Sequence, residues 1–101
     1  MKIELSAFER QHLKGIAHGL NPVVMIGNQG LTESVLREIA INLDAHELIK
    51  VRVLGDDRDA RVAMYNQICD ELSAAQVQHI GKLLVLWRPS EKQRIVLPKK
   101  K

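Results

Sequence analysis

Three observations predict an α/β sandwich of element order αβαβαββ. Apolar residues recur at helical spacing in three segments, β-branched runs of strand length lie between and after them, and glycine, proline or a capping side chain marks most of the joints. Strands separated by helices need crossover connections. The expected sheet is therefore mixed and four-stranded, packed by helices, with its last two strands antiparallel.

The first helix opens at Ser6-Ala7-Phe8-Glu9, a capping box in which Ser6 and Glu9 satisfy free N–H groups reciprocally. Leu13, Ile16, Ala17 and Leu20 form its apolar stripe, and Gly19 and Pro22 end it. Val23–Ile26 is a short strand bounded by Pro22 and Gly27. Thr32 caps a second helix that buries Val35, Leu36, Ile39 and Leu43. From Glu47 to Leu54, Ile49, Val51 and Val53 alternate with Lys50 and Arg52, as in a strand. Asp56 or Asp57 starts a third helix with Met64, Tyr65, Ile68 and Leu72 on its core side. Ala74, Val77 and Ile80 recur every three residues, which extends that helix through Ser73–Ile80 to Gly81. Lys82–Arg88 and Arg94–Leu97 are the last two strands, joined through Pro89-Ser90-Glu91. Leu83–Trp87 is apolar without alternation, the pattern of a central strand covered on both faces.

The chain has 101 residues, 46% hydrophobic and 27% charged, which suits one globular domain. Residues 1–98 are read as that domain and 99–101 as a basic tail. Lys99, Lys100 and Lys101 account for the whole net charge of +3, so global charge says little about a polyanionic partner. No apolar run reaches the ~18 residues of a membrane helix, and the polar segment before the first helix is not expected to be a secretory leader. One cysteine, Cys69, allows no internal disulfide. The expectation is a cytoplasmic, monomeric domain without membrane association.

Gly27-Asn28-Gln29-Gly30 joins a strand end to a helix start, where free N–H groups favour an anion and glycine lets the backbone approach a phosphate closely. The same residues also suit a plain turn. They lack the G-x-x-x-x-G-K-[ST] of a nucleotide P-loop. The first helix carries Arg10, His12, Lys14 and His18 with no acid after Glu9, and Lys50 and Arg52 share one side of their strand. Lys82 and Arg88 bracket the last apolar strand but one. Asp56-Asp57-Arg58-Asp59 is explained by helix capping rather than a metal. His12, His18, His46 and His79 show no zinc-type spacing, and Cys69 reads as a small core hydrophobe. No catalytic set can be assembled, so the chain is expected not to be an enzyme and to need no cofactor or metal. Phe8, Tyr65 and Trp87 are the only aromatics, too few for a stacking platform of exposed rings. RNA would then be held by backbone amides, Lys and Arg, which favours phosphate spacing over base identity.

Four segments carry a family likeness: Gln11–His18, Asn21–Thr32, His46–Val51 and Ile80–Pro89. In order and over nearly the whole chain, they resemble the CRM domain (chloroplast RNA splicing and ribosome maturation), most closely its bacterial stand-alone YhbY type. The resemblance implies a fold akin to the C-terminal domain of translation initiation factor 3. It further implies a non-catalytic RNA-binding protein that associates with precursors of the large ribosomal subunit, with ribosomal proteins as further partners. Its implied RNA surface is Gly27, Asn28, Gln29 and Gly30 with Lys14, Lys50, Lys82 and Arg88; the basic pattern adds Arg10 and Arg52. Asn28-Gln29 stands where many members carry a basic residue, which shifts contact towards backbone amides. Trp87 stands where a tyrosine is usual. The competing expectation is a protein-interaction module that docks on a ribosomal or assembly protein and meets RNA only indirectly.

Overall fold

Ser6 opens the first helix in a computed structural model that describes residues 1–97; the Lys99–Lys101 tail lies outside the described residues. The Ser6 hydroxyl accepts from the Glu9 N–H at 3.1 Å, and the Glu9 carboxylate accepts from the Ser6 N–H at 2.9 Å. From that box runs α1 (Ala7–Ala17), followed by β1 (Pro22–Ile26), α2 (Glu33–His46), β2 (Leu48–Val53), α3 (Arg58–Leu72), β3 (Ala75–Ile80) and β4 (Leu83–Trp87). Thr32 caps α2 and Asp57 caps α3 through their side-chain oxygens. Asp56 pairs with Lys82 at 3.0 Å, so two of the three aspartates in the 56–59 run have structural partners.

The order αβαβαββ holds, and the sheet is four-stranded and mixed. Its strands lie in the order β1-β2-β4-β3, with β1 and β2 parallel and the other pairs antiparallel. Alternation on the strands divides the core in two. Val24, Ile26, Ile49, Val51, Val53, Leu84 and Leu86 face α2 and α3 and meet Ile39, Leu43, Tyr65 and Ile68. Leu48, Val85, Trp87, Ala75 and Val77 face the other way, under Leu13 and Ala17 of α1. Cys69 is buried as expected, and burial pushes its thiol up to about 12.

Ser73–Ile80 is not a helical extension. Ser73 takes a left-handed conformation (φ 53°, ψ 50°) and ends α3, and β3 begins two residues later. An irregularity in the β3–β4 register between Gln76 and Gln78 sets Val77 and Ile80 three apart on one face, while Ala74 precedes the strand and packs in the other core. An extra residue there shifts the alternation by one. Tyr65 fills the gap: its hydroxyl accepts from the Val77 N–H at 3.0 Å and donates to the Val85 carbonyl.

Arg94–Leu97 is not a strand either. With β2 on one side and β3 on the other, β4 has no free edge for a following hairpin partner. The segment instead runs as a strap whose Ile95 and Leu97 pack on the α1-side core. Glu47, expected in the second strand, caps α2 with φ 66° and is fully buried. Ile16, expected in the core stripe of the first helix, is 40% exposed.

Candidate functional site

The Gly27–Gly30 segment is a closed turn. The Gly30 N–H donates to the Gly27 carbonyl at 3.0 Å, and Gly30 has φ 75°, a region that favours glycine. That bond uses the Gly30 N–H, and Thr32 satisfies the Val35 N–H at the α2 entrance, with Glu33 in the first turn. At the tip, the amides of the exposed Asn28 and Gln29 are without a main-chain or side-chain acceptor among the described residues, as are those of Leu31 to Ser34 at the helix entrance.

Hydrogen bonds fix what surrounds this turn. Ile26, the residue before Gly27, pairs with Val53, and the Leu54 N–H donates to the Ile26 carbonyl at 2.9 Å. The Val53 N–H in turn donates to the Lys82 carbonyl at 2.8 Å. The turn, the end of β2 and the β3–β4 hairpin therefore share one end of the sheet. Arg52 projects from this end, exposed, on the face opposite α2 and α3. Lys82 sits in the hairpin, and its hydrogen bond and charge hold the Asp56 carboxyl below the usual range.

Lys50 lies two residues back from Arg52 on the same face. It is 8% exposed and has no ion pair among the described residues. Burial of this extent covers most of its methylene stem. Lys14 is half-buried on α1, the helix that covers this face over β2 and β3.

Two predicted residues lie elsewhere. The Arg10 Nε donates to the Gln76 carbonyl at 3.3 Å, on the edge strand farthest from β1. Arg88 follows β4 at the other end of the sheet. Its guanidinium donates to the Leu72 carbonyl at 2.9 Å, the Ala40 carbonyl at 3.2 Å and the Asp44 carboxylate at 2.7 Å. It thus braces the C-terminal halves of α2 and α3. A cleft of about 540 Å³ at that end is lined by Ile41, Asp44, Ser90 and Arg94 among others.

Sequence reasoning missed the neighbours of Arg52. Met25 and Leu83 read as strand residues without distinction and Ile80 as the end of a helical extension, yet Met25 is 55% and Ile80 45% exposed. The available signal was the alternation of β1: if Val24 and Ile26 face the helices, Met25 faces away. Among the described residues no three His, Cys, Asp or Glu side chains come together as a metal site, and no helix is long and apolar enough to cross a membrane.

Comparison with known proteins agrees with this architecture. Residues 5–88 match the CRS1 / YhbY (CRM) domain. An RNA-binding protein of Haemophilus influenzae is 57% identical over 96 residues, spanning 95% of this chain and 97% of that one. A probable RNA-binding protein of Pseudomonas aeruginosa is 38% identical over 87% of this chain and 85% of its own. The solution structure of a hypothetical Staphylococcus aureus protein, considered a candidate RNA binder, superposes with a TM-score of 0.82 at 31% identity. It covers 94% of this chain and 100% of that one. With its fold and the match over residues 5–88 in agreement, this chain belongs to the CRS1/YhbY (CRM) domain family.

Proposed function

We propose that this protein binds RNA without catalysing a reaction, and that it associates in the cytoplasm with precursors of the large ribosomal subunit during their assembly. Phosphates lie on the free Asn28 and Gln29 amides of the Gly27–Gly30 turn. Arg52, Lys50, Lys82 and Lys14 supply positive charge on the adjoining face. The observation that carries the reading is the convergence at one sheet end of an exposed turn and an exposed Arg52, the turn's tip amides without acceptors and Arg52 without an ion pair among the described residues. Backbone donors and mobile cations recognise a sugar–phosphate chain whatever its sequence. The names of the relatives support RNA as the ligand.

The test is a salt titration of binding to protein-free large-subunit ribosomal RNA. A logarithmic plot of affinity against salt is expected to fall with a slope of several units, each cation contact adding roughly 0.7–0.9. Arg52→Ala lowers that slope by about one such contact. An affinity for protein-free RNA that ignores salt, or the absence of any, would sink the reading and favour docking on a protein.

A further inference from the structure

The sheet's end next to the glycine turn carries a lateral row of side chains that no helix covers among the described residues. Met25 pairs with Arg52, Arg52 with Leu83, and Leu83 with Ile80. Directly paired residues point to the same face, about 5 Å apart. The row therefore takes one residue from each of the four strands and crosses the whole sheet. Its neighbours on β1, β2 and β4, namely Val24, Ile26, Val51, Val53 and Leu84, point into the α2–α3 core. The row itself faces the α1 side, but α1 packs on Leu48, Val85, Trp87, Ala75 and Val77 farther along the strands. Met25 and Ile80 are left 55% and 45% exposed, Arg52 exposed and Leu83 half-buried.

Single exposed aliphatics are ordinary. A contiguous row with a guanidinium set between apolar neighbours is not what phosphate binding alone requires, since Met, Leu and Ile gain nothing from a phosphate. The flat face of a nucleobase fits both elements. It gains from apolar contact, and arginine stacks on π systems. Resting on the RNA-binding reading, we propose that the Met25–Arg52–Leu83–Ile80 row holds an unpaired nucleobase of the strand whose phosphates lie on the Gly27–Gly30 turn. The spacing suits this: Met25 is two residues from Gly27, at most about 7.2 Å between Cα atoms. A second copy of the chain is a poor occupant, because Arg52 and Lys82 would meet their own charge. The ligand class is accordingly a single strand, bulge or loop rather than a continuous duplex, whose bases are stacked away from such a surface.

The experiment compares, at one salt concentration, a short single-stranded RNA with an abasic ribose-phosphate strand of equal phosphate number, using the full-length protein. The base-bearing strand is expected to bind of order tenfold more tightly. Met25→Ser and Ile80→Ser, at exposed positions, bring the ratio of the two affinities towards one. Ile41→Ser, on the solvent side of α2, leaves the ratio as it is. Equal affinity of the wild-type protein for both strands, with salt-dependent binding of each, overturns the base subsite and keeps the phosphate reading. A ratio unchanged in both serine variants overturns it as well. Binding of neither strand overturns both readings together and turns attention to a protein occupant.

Discussion

The carboxylate of Glu47 accepts the main-chain N–H of Ile95 at 2.8 Å, tying the end of α2 to a residue 48 positions later. The Arg94 N–H at 2.7 Å and the Ser90 hydroxyl complete its set of donors. Burial alone would raise the pKa of this carboxyl; the three donors outweigh it and hold it below the ordinary 4.5.

A depressed carboxyl pKa has a defined sign. Its contribution to stability is complete above the unfolded value of about 4.5 and is lost as pH falls through the lower folded value. Urea midpoints between pH 7 and pH 3 are expected to decline for the wild type and to decline less for Glu47→Gln, which starts lower at pH 7. Parallel curves for the two proteins would show that the strap does not depend on the charge.

Arg88 braces two helices through main-chain carbonyls. Arg88→Met leaves the Leu72 and Ala40 carbonyls without this donor and is expected to cost about 2–3 kcal/mol, read by chemical denaturation. The salt slope of RNA binding should match that of the wild type, because this arginine lies at the end of the sheet away from the glycine turn.

The two glycines of the turn separate binding from stability. A Cβ on Gly27 meets nothing within 4 Å, and its φ is not in the left-handed region. Gly27→Leu should keep stability within about 0.5 kcal/mol while a bulky side chain beside the free amides lowers RNA affinity about tenfold, some 1.4 kcal/mol. Gly30→Ala meets open space but must hold φ 75°, which costs about 1–2 kcal/mol of stability.

Tyr65→Phe removes the hydroxyl that plugs the β3 irregularity. The Val77 N–H and Val85 carbonyl lose their shared partner, at about 1–3 kcal/mol. Hydrogen exchange at the Val77 amide should accelerate more than at Leu84. Unchanged protection there would show that the strand closes without the phenol.

The helix starts were legible because their signals are local: Ser6, Thr32 and Asp57 each cap a helix with their own side chain. What escaped the sequence depends on partners distant along the chain. Whether Val77 belongs to a helix or a strand is decided by Tyr65 and by the edge of β4 on which β3 pairs, neither of which alters the local pattern. Arg94–Leu97 has strand-like composition, but β3 already occupies the edge it would need. Glu47 gave no hint of burial, since its donors come from 90–95. In the candidate site, the glycine turn was visible as a motif. The separation of Arg52 from Arg88, and the company of Met25 and Ile80, came only from the register.

The strand order has a consequence for biosynthesis. β2 and β4 form the middle of the sheet, yet β4 is the last strand to be translated. Until residues 83–87 have left the ribosome, the parallel β1–β2 pair has an unfilled central edge, and β3 has no neighbour to zip onto. Such non-local closure is slow relative to helix formation. A nascent chain arrested before Leu83 should therefore be protease-sensitive throughout, and resistance should arrive in one step once Trp87 is clear of the exit tunnel.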